Sequence, residues 1–301
     1  MIDLRALLLS FFLIASLSLR AQEESLLDLL PEDDEPIEEF ATAGFKTTRI
    51  INGHSFEMNA HGVLDFKISH RFGAVNSGAI NAFGLDNALM RIGLDYGVTP
   101  WLNVGIGRSG GSVKYYDGFV KARILRQQTG KKNIPVHLLW VSDMAIDGNP
   151  VNNPEVQPYL FSNRLFYTHQ LILGRKFSDG FSLQLMPSVV HRNFVPNKET
   201  SNDVFVMGIG GRVKLTKRIA LNAEYYYVLP DQLDPNVNYT NSLSIGFDIE
   251  TGGHVFQLHF TNSRGMVENA FMTDTQGSWA AGDIRFGFNV SRVFTVYRPK
   301  E

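Results

Sequence analysis

Along residues 87–98 the chain alternates. Ala88, Met90, Ile92, Leu94, Tyr96 and Val98 form one set, nearly all apolar. Asn87, Leu89, Arg91, Gly93, Asp95 and Gly97 form the other, mostly polar or small. Side chains of a strand alternate between its two faces, so this spacing predicts a long strand with one apolar side and one polar side. Thr99-Pro100 interrupts the ladder, because proline has no N–H to donate. Leu102, Val104 and Ile106 then resume the pattern opposite Asn103, Gly105 and Gly107. The two segments read as a hairpin.

The same rhythm predicts strands over 57–70, 87–98, 101–109, 113–125, 134–146, 163–175, 181–192, 202–215, 218–229, 241–250, 254–263 and 279–294. Most reach the ~9–11 residues that a tilted strand needs to cross a bilayer. The connections alternate as well. Thr99-Pro100, Arg126–Asn133, Lys176–Gly180, Thr216-Lys217 and Thr251–Gly253 are short or tight. Of the remaining connections (71–86, 110–112, 147–162, 193–201, 230–240 and 264–278), all but one are long and rich in Asn, Asp, Pro and Gly. Short turns at one end and long loops at the other are the arrangement of membrane barrels. The predicted fold is all-β: a transmembrane antiparallel up-and-down β-barrel of about twelve strands, with periplasmic turns and longer extracellular loops.

Lipid should meet the apolar sets, such as Leu64, Phe66 and Ile68, or Phe205, Met207 and Ile209. Tyr96, Trp101, Phe181, Tyr225, Tyr227 and Trp279 lie near strand ends, where interfacial aromatics belong. The opposite face carries Asp65, Lys67, Arg91, Asp95, Asp117, Lys121, Arg123, Asp143, Arg164, Gln170, Arg212, Lys214, Glu224, Asp248, Glu250, Gln257, His259, Asp283 and Arg285. A charge on the lipid face costs a few kcal/mol at mid-membrane, so these are expected to face the lumen. Both signs occur in similar number. Two readings follow: a lumen tied across strands by ion pairs and partly filled, or a polar path for a small solute. A barrel of this size lies between the filled and the open kinds, so strand number does not choose between them.

Composition adds an N-terminal division. Residues 1–21 have the form of a secretion signal, with Arg5 ahead of an apolar core over Leu7–Leu19 that is too short to span a membrane as a helix. Cleavage after Ala21 would leave an acidic tail over 22–43, expected to be disordered in the periplasm, and a barrel over 44–301. From Gln22 to Glu39 there are nine acids and no base. The whole chain has 28 basic and 30 acidic residues, a balance that points to no nucleic-acid partner. The absence of cysteine excludes disulfides, thiolate metal sites and a cysteine nucleophile.

Candidate chemistry is sparse. The segment Phe45–Ser55 combines strand-prone residues with an Asn52-Gly53 turn signal. It reads either as a short periplasmic strand or as a segment entering the lumen. His54-Ser55 has no third orienting group and reads as structural. Gly208-Ile209-Gly210-Gly211 sits in a strand pattern, so its glycines read as wall positions. The eight histidines show no ligand spacing, and neither a phosphate loop nor a serine elbow occurs. No cofactor or metal is expected, and the chain does not read as an enzyme.

The segments FKTTRIINGHSFE, HRFG, FGLDNA, RIGLDYGVTPWLNVGIGRS and YYDGFVKARIL resemble an uncharacterised exported beta-barrel family common in Bacteroidota. The resemblance runs from about Phe45 to the last strand. It implies an outer-membrane barrel and supplies no functional residue. The expected partners are outer-membrane lipid, the barrel assembly machinery, and a periplasmic partner for the acidic tail. The expected function is passage or binding of a small polar solute. The alternatives are a structural or docking barrel with a blocked lumen, presenting loops 147–162 and 264–278 outward, and an enzyme in the barrel mouth.

Overall fold

In the computed structural model, residues 37–111, 114–149, 160–195 and 197–298 are described. The signal-peptide reading and most of the acidic tail lie outside them. Two units are distinguished: the chain up to Glu39 together with Gly130–Lys132, and the remainder. In the first unit only residues 37–39 and 130–132 are described. The second holds a closed barrel and is the subject below.

Twelve antiparallel strands form the barrel. They are β1 (Val63–Ala74), β2 (Ala88–Thr99), β3 (Leu102–Ser109), β4 (Tyr115–Leu125), β5 (His137–Asp147), β6 (Leu165–Lys176), β7 (Phe181–Arg192), β8 (Asp203–Lys214), β9 (Ile219–Val228), β10 (Ser242–Thr251), β11 (His254–Thr261) and β12 (Arg285–Thr295). Each pairs with its neighbour in sequence, and β12 closes on β1 with Asn289 opposite Ser69. Closure removes the free edges that an open sheet would present, so every spanning backbone group can be paired within the wall. Alternation is visible in the burial. Met90, Ile92, Leu94, Phe205, Met207, Ile209, Ile245 and Phe247 are exposed large hydrophobics on the outside. The intervening Arg91, Asp95, Val206, Gly208 and Asp248 are buried on the inside.

Two predicted strands begin later than the alternation suggests. Residues 57–62 precede β1 and 279–284 precede β12. In the first case the chain is coming out of the lumen. At Gly62 it turns with φ +79°, and a Cβ there would overlap the carbonyl oxygen of Tyr297. Gly62 donates its N–H to Gly97 O (2.8 Å), and its own carbonyl accepts from Val296 and Tyr297 N–H, joining the incoming chain to the short-turn end of the wall. Only glycine combines that dihedral with that approach.

The lumen is occupied from both ends. Residues 44–59 enter past the short turns and form a hairpin: Ser55 N–H bonds Thr48 O (3.0 Å), Ile50 N–H bonds Gly53 O (2.8 Å), and Arg49 bridges His54. From the long-loop end, the connection between β11 and β12 folds inward rather than outward. Its helix α1 (Glu268–Thr273) is buried at every residue. This corrects the expectation that 264–278 is an outward loop. α1 is one and a half turns of Glu-Asn-Ala-Phe-Met-Thr, and Phe271 and Met272 need an apolar surface that the solvent side cannot supply.

Candidate functional site

The contents of the barrel divide into an apolar half and a polar half. On β5 to β8 the inner face carries Leu139, Val141, Ile172, Met186, Val190, Val204 and Val206, all buried. They form one cluster with Phe45, Ile50 and Phe56 of the hairpin, Tyr226 of β9, and Phe271 and Met272 of α1. Wall glycines make room for this packing. A Cβ on Gly174 would overlap the Phe56 ring, and one on Gly210 would overlap Ile50. Burial of each such side chain contributes about 1.5–3 kcal/mol. The hairpin is therefore a plug fitted to its wall, and Gly210 in the Gly208–Gly211 run is one of its sockets.

The plug tip is gripped through its backbone. Glu224 on β9 accepts the N–H groups of Asn52 (2.8 Å), Gly53 (3.1 Å) and Ile51 (3.4 Å). Gln257 donates to Ile50 O (2.7 Å) and Asn289 to Ile51 O (2.9 Å). Gln184 accepts from Phe56 N–H and donates to His54 O. Lys121 donates to Ser55 O (2.7 Å) and Glu57 O (2.6 Å). A buried charge is tolerated only when hydrogen-bonded, and here the plug's peptide groups supply the partners. Much of the inner-face polarity thus serves the plug instead of crossing between strands.

The ion pairs are equally local. Lys67 bridges Asp95 and Asp65, two carboxylates that stand opposite each other in the β1–β2 register. Arg91 pairs with Asp117 through Nε and Nη2. Arg49 of the plug pairs with Glu268 of α1. Arg71 on β1 donates to Asn52 Oδ1 and to Gly265 O (2.5 Å), clamping the plug to the start of the inward loop. His54 lies against Phe119 (ring centroids 4.6 Å), with Nε2 3.3 Å from Glu268 Oε1 but out of hydrogen-bond alignment. Burial, reinforced by the charges of Arg49 and Lys121, pushes its pKa well below the ordinary histidine value, so it is neutral. Ser55 Oγ donates to Thr47 O (2.7 Å), which gives the His54-Ser55 pair two separate packing roles.

Of the residues expected to face the lumen, Asp65, Lys67, Arg91, Asp95, Asp117, Lys121, Asp143, Gln170, Arg212, Glu224, Asp248, Gln257 and His259 are buried inside the wall. The others lie at its rims, where strands end and water reaches them. Lys214 is exposed at the end of β8. Glu250 pairs with Lys46 at the short-turn mouth (2.5 Å). Arg123 donates to Pro100 O. At the other rim, Arg164 donates to Asp147 O and Asn149 O, and Arg285 opens β12. Asp283 precedes β12 and accepts from Ser278 N–H within its own loop and from Asn76 Nδ2 of the β1–β2 connection. The outer aromatics fall into two groups: Tyr96, Trp101 and Phe181 near the short turns, and Tyr225, Tyr227 and Trp279 near the long loops. Trp279 donates to Leu243 O (3.0 Å). Arg49, Arg71, Gln184, Glu268 and Asn289 are central contacts that the pattern reading passed over. Arg71 was legible, since it continues the odd-numbered set Asp65, Lys67, Ser69. Glu268 was not, because nothing in a loop sequence marks it as inward.

On the polar half the packing is looser. A pocket of about 280 Å³ opens at the short-turn end between the plug and β10–β12, among Lys46, Glu57, Asp65, Glu250 and His254. A smaller pocket of about 20 Å³ lies among Arg49, Lys67, Arg91, Gln257 and Asn289, with Met266 of the inward loop on its lining. The two share Thr47 and Ser291.

No match occurs among curated proteins. Similar solved structures include the NanC porin (8% identity, TM-score 0.47, covering 76% of this chain and 98% of that one) and the KdgM porin (8%, 0.48, 77% and 99%). The COG4313 outer membrane channel from Pseudomonas putida F1 is a third (10%, 0.47, 79% and 97%). A family model described as a membrane-bound beta-barrel domain (DUF5777) matches residues 45–294. That match begins at Phe45, so it takes in the plug as well as the wall. The chain belongs to this family of membrane-bound beta-barrel domains.

Proposed function

We propose that the protein is an outer-membrane barrel that admits a small polar solute to a crevice beside a fixed plug. The signal-like N-terminus supports export, and with a periplasmic N-terminus the short turns would face the periplasm. The reading is carried by the division of the lumen. The apolar half fixes the plug, while the polar half keeps a mouth pocket and a central pocket along one flank of it. Passage to the far side requires the loop bearing Met266 and α1 to move. The function is binding and passage rather than catalysis.

The sockets for Phe56 and Ile50 favour a second reading, a permanently closed barrel that serves as a docking surface. Planar bilayers separate the two. The full chain should give small, discrete conductance steps. Replacing residues 265–277 with a short Gly-Ser linker should make the steps larger and longer. A tight seal from both proteins, each still a folded barrel by its resistance to unheated detergent, would overturn passage and support docking.

A further inference from the structure

The outer face of the wall is apolar all round but not smooth. On β8 and β9, Gly211 and Ala223 stand opposite each other, between the taller pairs Ile209–Tyr225 and Val213–Leu221. These two small residues leave a dent of about 290 Å³ in the lipid face, with Phe181 and Leu183 of β7 on one flank and Leu243 of β10 on the other. Arg212 and Glu224 border it as well, but their side chains turn into the lumen toward the plug. Cations gather where the dent approaches the short turns. Arg175 stands opposite Leu183 in the β6–β7 register, exposed on the lipid side, with its guanidinium over the Phe177 ring (5.3 Å to the centroid). Lys217 and Arg218 are exposed in the β8–β9 turn, beyond Val213 and Leu221. Among the described residues none of these three cations forms an ion pair, and the neighbouring acids are already engaged: Asp179 with Lys176 (2.7 Å) and Glu250 with Lys46 (2.5 Å).

We propose that this dent seats one acyl chain of an anionic phospholipid, with the lipid phosphate at the Arg175, Lys217 and Arg218 cluster. Long basic side chains on the lipid side belong at headgroup level, where they reach toward the phosphates. From Gly211 to the end of β8 the strand rises about 10 Å, so a phosphate at the turn leaves the acyl chain level with the dent. An anionic amphiphile presents both chemistries that the groove offers, an apolar stem and a negative head. A second copy of the chain, packed there about a two-fold axis, would set the same cations against each other. The site lies on the outside of the wall and is independent of what passes through the lumen.

The test is native mass spectrometry of the full-length barrel, titrated in detergent with dioleoyl phosphatidylglycerol or dioleoyl phosphatidylcholine. The wild type should take up one phosphatidylglycerol in preference to phosphatidylcholine. Arg175→Gln combined with Arg218→Gln should weaken phosphatidylglycerol roughly tenfold or more and leave phosphatidylcholine unchanged. Gly211→Val, which puts a side chain suited to a strand into the dent, should weaken phosphatidylglycerol with every cation still in place. Arg292→Gln removes an exposed cation from β12, away from the dent, and should change nothing. Equal uptake of the two lipids by the wild type overturns the proposal. So does a loss in Arg292→Gln as large as in the double variant, which means a diffuse basic surface. A wild-type dimer that Gly211→Val dissociates also overturns it, because a second copy then covers the dent. Each variant is scored as a barrel that resists unheated detergent. If Gly211→Val does not fold, the arginine pair and the lipid preference still decide.

Discussion

Glu224 shows how one wall residue can decide what the lumen contains. Its two carboxylate oxygens meet three successive N–H groups at the plug tip, and Gly53 passes so close to Tyr226 that a Cβ would overlap the phenol oxygen. Hydrogen bonds to a charged group contribute about 1.5–3 kcal/mol each. Glu224→Ala should therefore speed amide exchange at Asn52 and Gly53 by roughly tenfold or more, with the barrel amides of β9 and β10 unchanged. Exchange as slow as in the wild type would show that the apolar cluster alone holds the tip. His54 adds a pH dependence. Its pKa in the folded chain lies well below the ordinary value of 6.5. Unfolded or released plug binds the proton first, so docking is at full strength above about pH 6.5 and weakens as the pH falls below it. His54→Phe, which keeps a ring against Phe119, should flatten the acid limb of plug protection measured by amide exchange between about pH 7 and 4.

The plug and α1 behave as core elements delivered from opposite ends of the barrel. Ring contact between Tyr226 and Phe271 (5.1 Å) and the Arg49–Glu268 pair join them to each other and to the wall. The apolar half is where this packing is tightest, so small changes of volume should be felt there. Gly174→Ala places a methyl group in the socket of Phe56 and should lower stability by about 1–3 kcal/mol in thermal unfolding of the folded barrel. Combining it with Phe56→Leu should return part of the loss, because the two positions share one space. Strict additivity of the two changes would argue against the socket. The polar half should tolerate substitution better, since Ser69 and its neighbours border a pocket and not packed side chains.

For the whole molecule the consequence is a barrel with two unlike sides inside one wall. The outside is uniform, as lipid requires, with exposed aliphatic and aromatic side chains around the circumference. The inside is not. The β5–β8 arc is sealed by the plug, and the arc from β10 through β12 to β2 keeps the crevice. A solute route of this kind is narrow, lies off the axis and is closed at one end. Conductance should therefore respond more to the β11–β12 loop than to loops on the sealed side. Loss of Met266 and α1 uncovers the central pocket, whereas shortening the β7–β8 connection leaves it covered.

The wall could be read from the chain alone because its causes are local. A period of two sets the faces, the cost of charge in lipid fixes which face is outside, and the alternation of short turns with long loops distinguishes the two ends. A hint of the filled lumen was also legible. Leu138-Leu139-Trp140-Val141 is apolar on both faces, which a water-filled barrel would not need. What covers the inner of those faces was not legible. Asn52 and Glu224 are 172 positions apart, and Arg49 and Glu268 are 219 apart. Neither pairing has a sequence period, a spacing or a turn signal to announce it. Each follows from closing the barrel, which brings twelve inner faces around one space and leaves their buried charges to be satisfied by whatever chain enters it.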